Sequence, residues 1–212
     1  MASEQKVIEH IVLFKVNEGA SQEEIDAWLS ALNALDSLEC VEFLRASPAV
    51  ATNSSNKFTH ALYGRYRSRE ALAQYSVHPR HVAVVKGNRV VEDLLALDWE
   101  APEDRSWFES CCALRIELLK PQPALEQAER TEVSEVLSRY KNLFPRVLSA
   151  SFGENISPGR AKGFGWGFLC AFGAFEDLQE FNNNEEHVRL HEGKVIPKVQ
   201  ETLIMECRLE IP

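Results

Sequence analysis

Short apolar runs alternate with amphipathic stretches along the chain, and their order repeats. Residues 7–16 hold Val, Ile, Leu and Phe without helical spacing, and Ile11, Val12, Leu13 and Phe14 are apolar at both parities. A strand wet on one face would alternate, so this one is predicted to be covered on both. His10, Val12 and Phe14 share one face; Ile11 and Leu13 share the other. Ser21 with Glu24 forms a capping box that opens a helix. Ile25, Trp28, Leu29, Leu32 and Leu35 then recur at spacings of three and four, an apolar helical stripe. A short strand is expected at 41–44. A polar loop follows at 47–57, with Pro48, Asn53, Ser54, Ser55 and Asn56. A third strand, 58–66, puts Phe58, His60, Leu62 and Tyr66 on one face. Ser68 caps a helix through Tyr75. Pro79 suits the first turn of another, where its missing N–H costs nothing; that helix runs toward Val90 with an interruption at Gly87. Residues 94–99 form the fourth strand.

After a linker at 101–109 the order returns: strand 113–119, helix 124–143, strand 146–152, a glycine-rich loop to Lys162, strand 164–172, helices 177–181 and 185–198, and strand 203–209. The repeat is visible residue by residue, because 58–82 returns without gaps at 164–188. Phe58 falls on Phe164, Tyr66 on Phe172, Glu70 on Glu176, Tyr75 on Phe181 and His81 on His187. Two long copies mean a duplicated domain, not a solenoid. Each half is β-α-β-β-α-β, the ferredoxin-like arrangement. The predicted fold is therefore α+β, with domains at 6–100 and 110–212. Helices cover one face of each sheet, so the bare faces must be buried elsewhere. The economical solution packs them on one another inside one chain. That predicts a monomer by pseudo-dimerisation, with a homodimer left open through remaining edge strands.

The copies are unequal. The first carries His60, Tyr75, His78 and His81 where the second has Trp166, Phe181, Asn184 and His187. A polar pocket is expected in the first half, degenerate and filled with hydrocarbon in the second. At 212 residues and 45% hydrophobic, the chain can bury sizeable cores. No apolar run approaches the roughly 20 residues that span a bilayer. The first strand starts too early for a leader peptide, and Leu209, Glu210, Ile211 and Pro212 carry no retention or peroxisomal signal. A net charge of −9 argues against a general nucleic-acid or anionic-membrane binder. Five cysteines without CxxC spacing read as thiols in a reducing compartment, so a cytoplasmic location is expected.

Glu9–Val16 (EHIVLFKV), Phe58–Leu62 (FTHAL) and Tyr75–Val82 (YSVHPRHV) resemble the stress-responsive dimeric A/B barrel (Dabb) domain. The likeness is to its tandem plant type, within the dimeric α+β barrel superfamily. That family is described as stress-induced, heat-stable or antifungal, and it includes plant polyketide cyclases. The resemblance implies a stress or defence protein that binds a small aromatic or polyketide-like ligand, with no obligatory cofactor. The cyclases place a His on strand one, a His on strand three, a Tyr ending the short helix and a His on the next helix around their pocket. The matching positions here are His10, His60, Tyr75 and His81.

Were the pocket catalytic, His81 would be the general base and Tyr75 the proton donor in an aldol-type ring closure, which needs no metal. Otherwise the same four groups hold a ligand, or merely hydrogen-bond to one another. An enclosed cavity of at least ~300 Å3 beside His60, Tyr75 and His81 would favour the enzyme; a filled core would remove it. His78 reads as a helix cap. His187 and His191, one turn apart beside Glu186, read as a solvated face rather than zinc ligands. Gly163, Gly165 and Gly167 match a phosphate loop only in glycine count and read as a hairpin.

Overall fold

The structure is a computed structural model and describes residues 5–53 and 58–209. The first half runs β1 (Lys6–Val16), α1 (Gln22–Asn33), β2 (Phe43–Thr52), β3 (His60–Tyr66), α2 (Arg69–Val77), α3 (Pro79–Gly87) and β4 (Val91–Pro102). The second runs β5 (Ala113–Pro121), α4 (Gln127–Ser138), α5 (Tyr140–Leu143), β6 (Val147–Glu154), β7 (Trp166–Phe172), α6 (Phe175–Asn182), α7 (Glu185–Leu190) and β8 (Val199–Arg208). The caps sit where the residue types place them. Ser21 and Glu24 close a capping box, Ser68 accepts from the Ala71 amide, and His78 Nδ1 accepts from the Arg80 amide ahead of Pro79.

All eight strands join in the order β4-β1-β3-β2-β8-β5-β7-β6. The two halves meet at two seams. At one, β2 and β8 pair antiparallel, with Ala49 opposite Cys207 and Thr52 opposite Met205. At the other, β4 meets β6: the Ile156 amide donates to the Asp98 carbonyl at 2.9 Å, and Trp99 Nε1 donates to Ser151 Oγ at 3.3 Å. Three apolar clusters follow. Ile11, Leu13, Leu97 and Trp99 pack with Ile116, Leu118, Leu169 and Met205 in a core shared by the halves. Val12, Phe14, Trp28, Leu62 and Tyr75 pack beneath the first-half helices. Leu119, Leu137, Tyr140, Phe168 and Phe181 do so in the second. The two faces of β1 therefore serve two cores, as the unbroken apolar run requires. The inward face also carries Glu9, paired with Arg65 at 3.2 Å.

Several expectations are corrected. The expected loop at 47–57 begins as strand: Ser47 and Pro48 continue β2 against β3, and residues 49–52 extend it because β8 of the other half supplies the pairing partner. Asn53 extends that seam with its side chain, donating to the Thr202 carbonyl and accepting from the Ile204 amide. Ser54, Ser55 and Asn56 lie outside the described residues, as do Glu210, Ile211 and Pro212. Phe58, ahead of β3, turns into the shared core and not onto the His60 face. The linker region 101–109 is largely built in: β4 reaches Pro102, and Trp107 is 2% exposed in the shared core. The helix expected at 124–143 divides at Arg139. The helix from Glu185 widens after Leu190 into a π turn over 191–195, which carries His191 inward.

Candidate functional site

β1 places His10 on the helix-facing side, with Asp98 of β4 directly opposite it in the register. His10 Nδ1 lies 2.5 Å from Asp98 Oδ1, and both residues are buried. A carboxylate only accepts, so Nδ1 donates and Nε2 is the nitrogen left facing away from Asp98. Burial pushes the Asp98 carboxyl up, but bonds from His10 and from Ser157 Oγ outweigh it and hold it below the ordinary carboxylate value.

α2 carries Tyr75 in its last turn, and α3 presents His81 in its first. Their ring centroids are 4.4 Å apart, and Tyr75 lies 6.4 Å from His10. His81 Nδ1 donates to the Ser76 carbonyl at 3.0 Å, leaving Nε2 as the acceptor. Burial lowers the His81 pKa despite that bond, with His10 and Arg160 adding to the fall, so a neutral imidazole stands there near pH 7. Burial raises the Tyr75 phenol to about 12. These three residues line a cavity of about 190 Å3, walled by Phe14, Trp28, Leu62 and Leu94.

His60 does not join them. It lies on the far side of Trp28, whose indole meets it edge-on at 5.8 Å while also walling the cavity. Thr59 Oγ1 is 2.8 Å from His60 Nδ1, and burial lowers the His60 pKa. His60 instead borders a larger open groove of about 680 Å3 along α1 and β2, with Ile25, Leu29 and Arg45. The structure thus separates one member of the expected quartet and supplies Asp98, which the sequence reading missed. Its signal was available: a lone carboxylate inside the apolar run Leu94–Trp99 is costly unless partnered.

The second half is less hydrocarbon than Trp166 and Phe181 suggest. Phe14 pairs with His60 and Leu119 with Trp166, so Arg115 and Glu206 occupy the places of His10 and Asp98. Arg115 reaches Glu117 at 3.3 Å, His191 Nε2 lies 2.6 Å from Glu117 Oε1, and Asn182 donates to Glu206 at 2.7 Å. His187 is 4% exposed and stacks on Phe181 at 4.0 Å. His187 and His191 are thus buried, not a solvated face. Among the described residues no group of three or more His, Cys, Asp or Glu is arranged to hold a metal ion. No helix among them is long and apolar enough to cross a membrane.

Two ferredoxin-like halves closed on one another, helices outside and a polar pocket under one helix layer, define a dimeric α+β barrel folded from a single chain. Residues 8–101 and 114–208 each match the stress responsive A/B barrel domain, and the chain belongs to that family. It is similar to two stress-response A/B barrel domain-containing proteins of Arabidopsis thaliana. The longer of them is 33% identical over 208 residues, 96% of this chain and 79% of that protein. The other is also 33% identical, over 207 residues, 94% of this chain and 95% of that protein. Among solved structures, an anthrone oxidase-like protein aligns with a TM-score of 0.63 over 99% of this chain and 93% of its own, at 9% identity, a likeness of fold alone.

Proposed function

We propose that this is a stress-response A/B barrel protein that binds one small, mostly apolar molecule in its first-half pocket, with His10, Tyr75 and His81 contacting the polar group of that molecule. The relatives described above support the stress role. The observation that carries the binding reading is the cavity of about 190 Å3 with apolar walls and three convergent polar side chains. Its volume is below the ~300 Å3 lower end of ligand pockets in general, which restricts the occupant to a small molecule, yet the core is not filled. Asp98 acts through His10, fixing which nitrogen faces a ligand. Titration calorimetry with 2-phenylethanol tests the reading. Wild type binds, and Val84→Phe, which fills the cavity from α3, loses at least tenfold in affinity. Equal binding by the two proteins rejects the pocket.

A second reading has a specific observation behind it. His81, held by the Ser76 carbonyl, presents a bare Nε2 to the pocket, and His10, held by Asp98, turns its Nε2 away from that carboxylate, the orientation a general base needs. On this reading the pocket closes a short poly-β-ketone, with His81 or His10 removing the acidic proton and Tyr75 donating to the developing alkoxide. Product profiles from linear poly-β-ketides decide it. If wild type, Tyr75→Phe and His81→Gln give the same products at the same rate, no cyclase is present.

A further inference from the structure

We propose that the second half completes the first-half pocket, and that Arg160 selects ligands carrying a carboxylate at its mouth. The inference rests on that pocket being the binding site.

The connection from β6 to β7 crosses the seam and is pinned to the site's own carboxylate strand. The Ile156 amide donates to the Asp98 carbonyl at 2.9 Å, Asn155 Oδ1 accepts from the Asp98 amide at 3.4 Å, and Ser157 Oγ donates to Asp98 Oδ2. Asn155 Oδ1 also accepts from the Ser157 amide at 2.9 Å, which stiffens the turn. Ile156 packs into the apolar cluster of the first half, not of its own. The short turn that follows, Pro158–Arg160, then brings Arg160 into the pocket lining.

Arg160 is the one permanently charged residue among the described residues lining the cavity. Its side chain is exposed, and among the described residues it makes no hydrogen bond or ion pair, acting on Asp98 and His81 only through space. Its neighbour Lys162 contrasts with it, since that ammonium is held by both Asp93 oxygens at 2.8 Å. Asp98 feels the guanidinium through space, which helps hold its carboxyl low, but the two form no ion pair, and the Asp98 oxygens accept from His10 and Ser157. A planar guanidinium with free donors, set above an apolar cavity, matches a carboxylate on an apolar body. The pocket is therefore composite: imidazoles and phenol from the first domain, the cation from the second.

The test uses a matched pair, phenylacetate and 2-phenylethanol, titrated at pH 7.5 into wild type, Arg160→Gln and Val84→Phe. Arg160 is exposed, so its variant folds. Wild type is expected to prefer the carboxylate about two- to fivefold, the range of a partly exposed charge pair. Arg160→Gln should abolish that preference and leave alcohol binding unchanged. Equal affinities for the two probes in wild type, or a preference that survives in Arg160→Gln, overturns the proposal alone. Absence of binding by either probe, or binding that Val84→Phe does not weaken, removes the pocket itself and the proposal with it.

Discussion

Gly167→Ala tests whether the halves are locked together as described. Trp99 of β4 is fully buried, and its indole lies over β7 of the other half. A Cβ on Gly167 would stand 2.4 Å from Trp99 Cε3 and Cζ3, and 2.9 Å from Leu97 Cδ2. Carbon pairs rest at about 3.5–4.0 Å, so the indole must retreat by about 1 Å. It has no room toward β6, because a Cβ on Gly153 would already lie 2.6 Å from Trp99 Cδ1. Overpacking costs about 1–3 kcal/mol. Turning the ring also breaks its bond to Ser151, about 1 kcal/mol more. Relief of glycine's backbone entropy returns about 0.5–1 kcal/mol. The net loss is about 1–3.5 kcal/mol, a fall in Tm of about 2–14 °C for a chain this size. Urea unfolding of wild type, Gly167→Ala, Trp99→Leu and the double variant measures it, with Gly193→Ala as control because a Cβ there meets nothing within 4 Å. The second substitution should be nearly free once Trp99 is gone, a coupling of about 1.5–3 kcal/mol. Additive effects, or a Gly167→Ala change below about 0.5 kcal/mol, would refute the locked seam.

Burial first, then Arg115 and His191, depress the His187 pKa to about 3. The unfolded chain takes that proton below about pH 6.5 while the folded one refuses it, so stability falls as pH drops, by about 1.4 kcal/mol per unit. About 2–3 kcal/mol should be gone by pH 4.5, and His187→Phe should flatten that slope in urea titrations; identical slopes would contradict the assignment. Asp98→Asn should cost about 1–3 kcal/mol above pH 4, where the wild-type carboxylate is ionised, and that difference should shrink as pH falls through the depressed Asp98 value. Amide exchange at 155–157 should quicken in that variant, and unchanged protection would mean the loop is held by other contacts. Because the two sheets already cover one another, light scattering should give a mass near 24.0 kDa; twice that would show that copies pair further.

The duplicated β-α-β-β-α-β order, the two-sided burial of β1 and the caps at Ser21, Ser68 and His78 were legible in the sequence. Each is written within a few residues, in spacing and cap chemistry, and short-range sterics and hydrogen bonds act on that scale. The pocket was half legible. Tyr75 and His81 are neighbours along the chain and stayed together, whereas His60 was assigned by strand parity and by the resemblance, and neither says on which side of the Trp28 ring a residue lies. What only the tertiary structure decided came from partners far apart in sequence. Asp98 is 88 positions from His10 and met it through the β1–β4 register. Residues 49–52 became strand because β8 of the other half offered a free edge. His191 was carried onto Glu117 by a widened helical turn and His187 was buried against Phe181, and the glycines at 153 and 167 acquired a purpose only when Trp99 arrived from across the seam. Local pattern set which elements form and which face is apolar; which polar side chains meet was set by strand register and by the packing of one half on the other.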